Sequence, residues 1–377
     1  MPEMATKRVN VMFAGGGTGG HLFPGIAVAR ELTRRHSQIE VIFVGSGKHL
    51  ESRVLSNEGF IVEKIRTSGL VGKRIWNLMR GLVLIPVSFF DSAVVLYQRC
   101  PKIVVGLGGY SSGPVLMLAS LCGFPTILLE QNIVPGLTNR LLSRLVSIAV
   151  VSSKFALRYF PRNGLVCGNP VRDSFFKAPR SEYSPSVARI LILGGSQGSH
   201  AINKAMLEAA SILARCSRPI HVTHQTGIKD VNFVADGYRA VGLNAHVDTF
   251  FDDVDRRMAE ADLVVCRAGA MTLAELAASG RPAILIPLPN ATHDHQYQNA
   301  VAVVKEGGAE LIEQKKLSGS LLGNRIVALA TDDEYRSSLA TASRNLARPD
   351  ATTNVVDCME QYIPLGDQGL HGKVQKR

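Results

Sequence analysis

Twice along the chain, short apolar runs rich in Val and Ile alternate with stretches of helical length, and each series opens on a run that empties into a glycine cluster. That alternation is the pattern of parallel strands covered by helices on both faces. In the first series the strands are expected at Val9–Ala14, Val41–Val44, Ile61–Ile65, Ile103–Val105, Thr126–Leu129 and Ile148–Val151. A Pro- and Ser-rich stretch, Ala178–Val187, interrupts the pattern. It restarts with strands expected at Ile190–Leu193, Ile220–His224, His246–Phe250, Leu263–Cys266 and Ala283–Ile286, each followed by a helical segment. The expected class is α/β, with two Rossmann-like, doubly wound parallel-sheet domains and a cleft between them. A chain of 377 residues, 46% apolar and 19% charged, can fill two cores. Residues 1–170 are read as the first domain and 171–349 as the second, with a hinge near Gly168–Arg172. A last helix, about 350–362, is expected to return to the first domain, and the glycine-containing, basic end at 363–377 reads as a disordered tail.

Composition removes several function classes. The six cysteines, Cys100, Cys122, Cys167, Cys216, Cys266 and Cys358, contain no C-x-x-C pair, so neither a zinc knuckle nor a dithiol redox motif is present, and scattered thiols suit a reducing compartment. The run Val9–Ala14 is too brief for a signal-peptide core. Residues 103–129 carry no charge, yet Gly106, Gly108, Gly109, Gly113, Pro114, Gly123 and Pro125 divide them into elements too short to span a bilayer. Residues 1–168 hold 19 Lys/Arg against 8 Asp/Glu and the remainder 23 against 23, so the whole net charge of +11 belongs to the first half. This asymmetry implies an anionic partner there. A nucleic acid fits least, because no recognition motif occurs and only 6% of residues are aromatic, few of them among the basic ones. A membrane surface or a polyphosphate remains. The segment Ile75, Leu78, Met79, Leu82, Ile85, with the only tryptophan, Trp76, and flanking Lys73, Arg74 and Arg80, reads either as a core-facing helix or as an interfacial patch. Pro86 is expected to bend or end it.

Three glycine loops follow predicted strands: FAGGGTGGH at 13–21, GLGGYSSGP at 106–114 and LILGGSQGS at 191–199. Glycines at strand-to-helix turns let the backbone approach a ligand and aim helix amides at anionic groups, although such a turn can also serve only to pack helix on strand. Gly15, Gly17 and Gly20 satisfy the dinucleotide spacing, but the second strand ends in Phe43, Val44, Gly45, Ser46, with no acid for a nicotinamide ribose. No P-loop occurs. His21, directly after the glycines, is placed to act as a general base or simply to cap its helix. In CRAGAMTLAE, 266–275, amides near Ala270, Met271 and Thr272 suit a diphosphate and Glu275 suits ribose hydroxyls, the plainer reading being a glutamate favouring the helix dipole. In HDHQYQNA, 293–300, Gln296 and Asn299 suit sugar hydroxyls, and two histidines with Asp294 make an incomplete metal site.

Taken in order, GGTGGH (16–21), GGYSSGP (108–114), EQN (130–132), GNPVR (168–172), GGSQGS (194–199), CRAGAMTLAE (266–275) and HQYQNA (295–300) resemble the family 28 glycosyltransferases of GT-B fold. Within that family they are similar to the transferases that carry N-acetylglucosamine from UDP-N-acetylglucosamine to lipid I, the undecaprenyl-diphosphate-linked muramyl-pentapeptide, making lipid II for peptidoglycan. The resemblance runs from about residue 8 to 362. It implies that Thr18, Gly19 and Gly20 line the donor side, that His21 is the candidate base and that Glu130 is a second group for proton handling. It places Asn132 on the donor sugar, Arg172 and Ser196 on the diphosphate, and Ala270, Met271, Thr272, Leu273, Ala274 and Glu275 on diphosphate and ribose. Phe251 corresponds to a position whose backbone reads uracil, and Gln296 to a sugar-hydroxyl contact. Gly108, Gly109, Tyr110, Ser111, Ser112 and Gly113 correspond to the acceptor-diphosphate loop. The chain departs from some relatives at His295, where a glutamine can stand, and at Phe251, where a smaller aliphatic is common. The resemblance further implies no cofactor and no metal, a peripheral place on the cytoplasmic face of the membrane, and a role in cell shape and division. Inverting attack by the muramyl 4-hydroxyl follows, with helix N-termini and Arg172 offsetting charge on the departing UDP. A UDP-sugar epimerase of similar fold, a nicotinamide oxidoreductase and a non-enzymatic UDP-sugar sensor are the competing readings.

Overall fold

The structure, a computed structural model, describes residues 8–17, 19–47, 49–67, 75–178, 186–289 and 294–364, with the side chains of 49, 50 and 75–83 outside the description. Lys73 and Arg74 fall outside the described residues, as do the side chains of Trp76 and Arg80. The first sheet contains β1 (Val9–Gly15), β2 (Ile39–Gly45), β3 (Ile61–Lys64), β4 (Ile103–Gly108), β5 (Thr126–Glu130), β6 (Ile148–Val151) and β7 (Gly164–Val166), in the order β3-β2-β1-β4-β5-β6-β7. The second contains β8 (Ala188–Leu193), β9 (Ile220–Gln225), β10 (Asn244–Asp248), β11 (Leu263–Cys266), β12 (Ala283–Leu285) and β13 (Glu310–Leu311), in the order β10-β9-β8-β11-β12-β13. Every pairing is parallel. The chain is therefore α/β with two Rossmann-like sheets.

Helices α1 (Gly19–Arg35), α2 (His49–Asn57), α3 (Ile75–Arg99), α4 (Ser112–Leu121), α5 (Leu137–Leu142) and α6 (Ser174–Lys177) follow strands of the first sheet. The second sheet carries α7 (His200–Ala214), α8 (Val231–Ala240), α9 (Val254–Glu260), α10 (Ala270–Ser279), α11 (His295–Lys305), α12 (Gly319–Thr331) and α13 (Asp333–Asn345). Each sheet buries both faces, which is why its central strands are nearly continuous in apolar residues. On one face of the first sheet Val11, Phe13 and Phe43 pack with Leu22 and Ile26 of α1, and the Phe13 and Phe43 rings stack at 5.2 Å. On the other, Met12, Val44 and Val104 pack with Leu96 of α3 and Val115 of α4. The last helix, α14 (Ala351–Glu360), lays Val355, Val356 and Met359 into the α1 face of the first sheet. Burying each such side chain contributes about 1.5–3 kcal/mol. Arg35 of α1 also pairs with Asp357 and Glu360, and His36 with Glu360.

The local structure adds detail to these expectations and corrects one strand. Of the two outcomes expected at Pro86, a bend or an end, the end does not occur, since α3 runs through it to Arg99. Beyond it, the Ser88 and Ser92 hydroxyls bond to the carbonyls of Ile85 and Ser88 at 2.7 and 2.6 Å. The strand expected at His246–Phe250 spans Asn244–Asp248, which leaves Phe250 and Phe251 in the loop beyond it. Two edge strands, β7 and β13, were not expected, and the segment after β6 is a 3-10 helix, Lys154–Tyr159. Among the described residues no helix is long and apolar enough to cross a membrane.

Candidate functional site

Strand order reverses between β1 and β4 in the first sheet and between β8 and β11 in the second. At such a switch point the crossovers leave in opposite directions and open a crevice beyond the carboxyl ends of the strands. The loops at these two points are the glycine-rich ones, and α1 and α10 meet across the space between them.

The first crevice has a main-chain floor. The amide of Gly16 donates to Gly108 O at 3.4 Å, and a Cβ at Gly15 would stand 2.5 Å from that same oxygen. Gly108 has φ +92°, and a Cβ there would lie 2.9 Å from Nδ1 of His21, so the absence of a side chain lets the ring settle over the loop. His21 is half-buried on the first turn of α1, with Nδ1 3.2 Å from Oε1 of Gln131. The Nε2 of Gln131 donates to Leu107 O at 3.2 Å. Burial lowers the pKa of His21 below its ordinary value; hydrogen bonds that the ring donates to the Gln131 amide oxygen and the Leu107 carbonyl oppose this, and His295, facing it from the second sheet, adds to it. The imidazole is neutral near pH 7.

Glu130, at the end of β5, is buried with both oxygens occupied. Oε1 accepts from the amide and side chain of Asn132 at 2.9 and 3.2 Å, and Oε2 from Asn139 Nδ2 at 2.8 Å and Gly136 N at 3.3 Å. Burial raises its pKa and these four donors pull it back. A carboxylate so engaged organises the 131–139 loop. Asn132 in turn accepts from Nδ2 of Asn299 on α11 at 3.2 Å, while the amide of Ile133 donates to Oδ1 of Asn299 at 3.1 Å. These two bonds fasten the first sheet's loop to the second sheet's helix. Asn299, read from sequence as a sugar contact, spends its amide on this clasp.

The second crevice is framed by the β8 loop. A Cβ on Gly198, at φ +76°, would lie 1.8 Å from Thr226 O, so the loop rests directly on the turn after β9. Ser199 caps α7 and accepts from Nη2 of Arg267 at 2.7 Å. Arg267 also donates to the carbonyls of Ile286 and Pro287 and to Gln314, tying three loops together. Burial lowers its pKa to about 10, which leaves it charged. Ser196 stands exposed on the rim. The residues Ala270, Met271, Thr272, Leu273 and Ala274 form the first turns of α10, and Glu275 follows. Burial lifts the Glu275 pKa to about 7, with Arg172 opposing the rise and Asp255 adding to it. Arg172 lies 5.4 Å over the ring of Phe23 from α1 and 5.1 Å over that of Phe175, and its buried Nε has no hydrogen-bond partner. Its guanidinium thus spans both walls of the cleft.

Other predicted positions are placed with less room for a ligand. The amide of Phe251 donates to Gln225 Oε1 at 2.9 Å, and its ring lies under Arg257 at 3.9 Å. The Phe251 amide is thus occupied by Gln225. Oε1 of Gln296 accepts from Leu288 N at 2.9 Å, so its amide NH2 is the group turned to other partners. In the 108–113 loop Tyr110 is half exposed, Ser111 and Ser112 are buried, and Oγ of Ser112 lacks a partner. Gly113 packs its open side against Thr138. Gly19 lies under the Phe23 ring, and Gly20 faces open space. Thr18 and His293 lie outside the described residues. Sequence reasoning missed Gln131, Gln225 and Arg267. Gln131 and Arg267 sit inside recognised motifs, but nothing in their spacing tells which neighbours their side chains hold. Among the described residues no group of three or more His, Cys, Asp or Glu is arranged to hold a metal ion.

Comparison with known proteins agrees with this geometry. Residues 11–151 match the glycosyltransferase family 28 N-terminal domain and residues 189–360 the family 28 C-terminal domain. The UDP-N-acetylglucosamine--N-acetylmuramyl-(pentapeptide) pyrophosphoryl-undecaprenol N-acetylglucosamine transferase of Anaeromyxobacter dehalogenans is 43% identical over 355 residues, 93% of either chain. The crystal structure of Acinetobacter baumannii MurG superposes with a TM-score of 0.75 at 29% identity, covering 94% of this chain and 99% of that one. A UDP-GlcNAc 2-epimerase from Neisseria meningitidis has a TM-score of 0.66 at 14% identity over 94% of this chain and 100% of its own, a likeness of fold alone. Two switch-point crevices, family models over most of the chain and a relative 43% identical over 93% of either chain lead to one conclusion: the chain belongs to family 28 of the glycosyltransferases and, within it, to the MurG family.

Proposed function

We propose that this protein transfers N-acetylglucosamine from UDP-N-acetylglucosamine to the 4-hydroxyl of the muramyl residue of lipid I, with inversion, producing lipid II for peptidoglycan. The observation that carries this reading is the pairing, across one cleft, of a neutral buried-side imidazole on the first sheet with a helix N-terminus and Arg172 on the second. UDP belongs on the second sheet. The Ser196 loop and the α10 amides at Ala270–Thr272 face its diphosphate, Glu275 accepts from ribose hydroxyls, and the Phe251 backbone meets uracil. Arg172, with an unsatisfied buried Nε, offsets the charge that grows on the leaving diphosphate. The donor sugar then projects towards Asn132, Gly19, Gly20 and the NH2 of Gln296. Lipid I enters on the first sheet with its diphosphate at Gly108–Gly113. His21 takes the proton of the attacking 4-hydroxyl. Glu130 acts through Asn132 as a positioning group.

We assign residues 1–170 with the 350–362 helix to the acceptor side and 171–349 to the donor side. The acceptor side is also the side to meet an anionic membrane surface. Met117 and Leu121 of α4, Leu137 and Leu141 of α5, Leu145 and Phe155 are exposed, and Arg140, Arg144, Lys154 and Arg158 are interspersed among them. Apolar side chains ringed by cations suit a headgroup region. Sedimentation with anionic liposomes at low salt, together with a shift in Trp76 emission, tests this; absence of both refutes it. The activity itself is tested by following UDP release from UDP-N-acetylglucosamine with and without a short-chain lipid I analogue in the presence of a chelator. Release that depends on the analogue and yields a disaccharide is expected. Donor turnover without the analogue, giving epimer or free sugar, overturns the transferase reading.

A further inference from the structure

The side chain of Gln131 has only one orientation compatible with its surroundings. One end of its amide faces Leu107 O at 3.2 Å, and a carbonyl can only accept, so that end is the NH2. The other end, 3.2 Å from Nδ1 of His21, is therefore the amide oxygen, which also can only accept. A neutral imidazole donates through one nitrogen and accepts through the other. Nδ1 must carry the hydrogen, and the Leu107 carbonyl, which also hydrogen-bonds the ring, favours the same choice. Gly108, without a side chain, closes over the Nδ1–Cε1 edge. The lone pair is left on Nε2. The other titratable group acting on the ring is His295 from α11, which disfavours protonation and leaves this choice of tautomer untouched.

We propose that Gln131 is a positioning residue that locks His21 into the Nδ1–H tautomer, so that Nε2 is the atom that takes the acceptor's proton. The proposal rests on His21 being the base. Without Gln131 the ring is released to share its proton between both nitrogens and to turn about χ2, and only part of the population presents a lone pair to the cleft. The Leu107 carbonyl fixes the amide in turn, so the chain Leu107 O, Gln131, His21 transmits the geometry of β4 to the reacting atom.

The test uses the full-length enzyme labelled with 15N-histidine. Long-range 1H–15N correlations give the tautomer of His21, whose signals are identified by their loss in His21→Ala. The wild type is expected to show Nδ1 protonated and Nε2 bare. Gln131→Met is expected to populate the other tautomer and to lower kcat at least about tenfold with donor KM little changed. Gln131→Glu keeps an acceptor opposite Nδ1–H but, when ionised, has no donor for Leu107 O, so it is expected to retain the tautomer and restore part of kcat. Where that carboxylate ionises it also moves the acid limb of kcat/KM to higher pH. A wild-type His21 protonated on Nε2, or a Gln131→Met enzyme with unchanged tautomer and kcat, overturns the proposal. If instead His21→Ala retains full transfer, the base assignment fails, while the tautomer measured in the resting enzyme still decides what Gln131 does to the ring.

Discussion

Gly20 gives the sharpest separation between folding and function. It is the second residue of α1, it is exposed, and a Cβ built on it meets nothing within 4 Å. Its neighbour Gly19 differs, because a Cβ there would stand 2.9 Å from Cε2 of Phe23, the ring that Arg172 covers. Nothing inside the protein requires position 20 to be glycine. Replacing a helical glycine by alanine removes unfolded-chain entropy worth up to about 1 kcal/mol, less at a first turn than in the interior. Gly20→Ala is therefore expected to leave Tm unchanged or to raise it by up to about 4 °C. If the space above it holds the donor sugar, one added methyl overpacks the bound state by about 1–3 kcal/mol. That corresponds to a fall of about 5- to 150-fold in kcat/KM for transfer. Thermal melting without ligand and UDP release with a lipid I analogue together read both effects. A lowered Tm would refute the claim of open space, and a normal kcat/KM would show that no substrate atom approaches this glycine.

Three further perturbations probe the neighbouring groups. His21 works when neutral, so the rate falls as pH drops through its pKa, which burial holds below the ordinary histidine value; His295→Gln removes a group that opposes its protonation, and the acid limb of kcat/KM is expected to move up. An unmoved limb would separate His295 from His21. Glu130→Gln turns an amide NH2 towards groups that are themselves donors, and should destabilise the protein by about 2–3 kcal/mol. A variant with unchanged Tm and no turnover would instead make Glu130 a proton-transfer group. Asn299→Ala strips partners from the Ile133 amide and the Asn132 oxygen, each bond worth about 1 kcal/mol. Donor kcat/KM is expected to fall about 5- to 30-fold with only a small change in Tm; a loss confined to Tm would make the clasp purely structural.

How far the sequence could be read depended on whether a feature was local. Ile148–Val151 and Leu263–Cys266 were legible to the residue because central strands buried on both faces must be continuously apolar. β7 and β13 were not, since a three- and a two-residue strand at a sheet edge bury little and carry no periodic signal. At Pro86 the choice between a bend and an end was not legible, because whether a helix continues past a proline depends on the packing of the turns beyond it. At the site, the glycine loops and His21 announce themselves by type and spacing. Gln131 and Arg267 do not, because their roles consist of bonds to residues 110 and 68 positions away. The Asn132–Asn299 clasp, across 167 positions, lies likewise beyond any local pattern. Family resemblance named the residues around the cleft, but the hydrogen-bond partners came only from the fold.

The floor of the first crevice has a consequence for anything designed to occupy it. Between β1 and β4 the chain offers peptide groups of Gly15, Gly16, Gly108 and Gly109, with the His21 ring lying against Gly108. An inhibitor anchored to those carbonyls and amides grips atoms that every amino acid shares, so resistance cannot arise by deleting the contact. It can arise only by adding a side chain, and an added Cβ at Gly15 or Gly108 collides with the opposing loop or with His21 at under 3.0 Å. Escape from such a compound therefore passes through damage to the strand ends or to the imidazole itself.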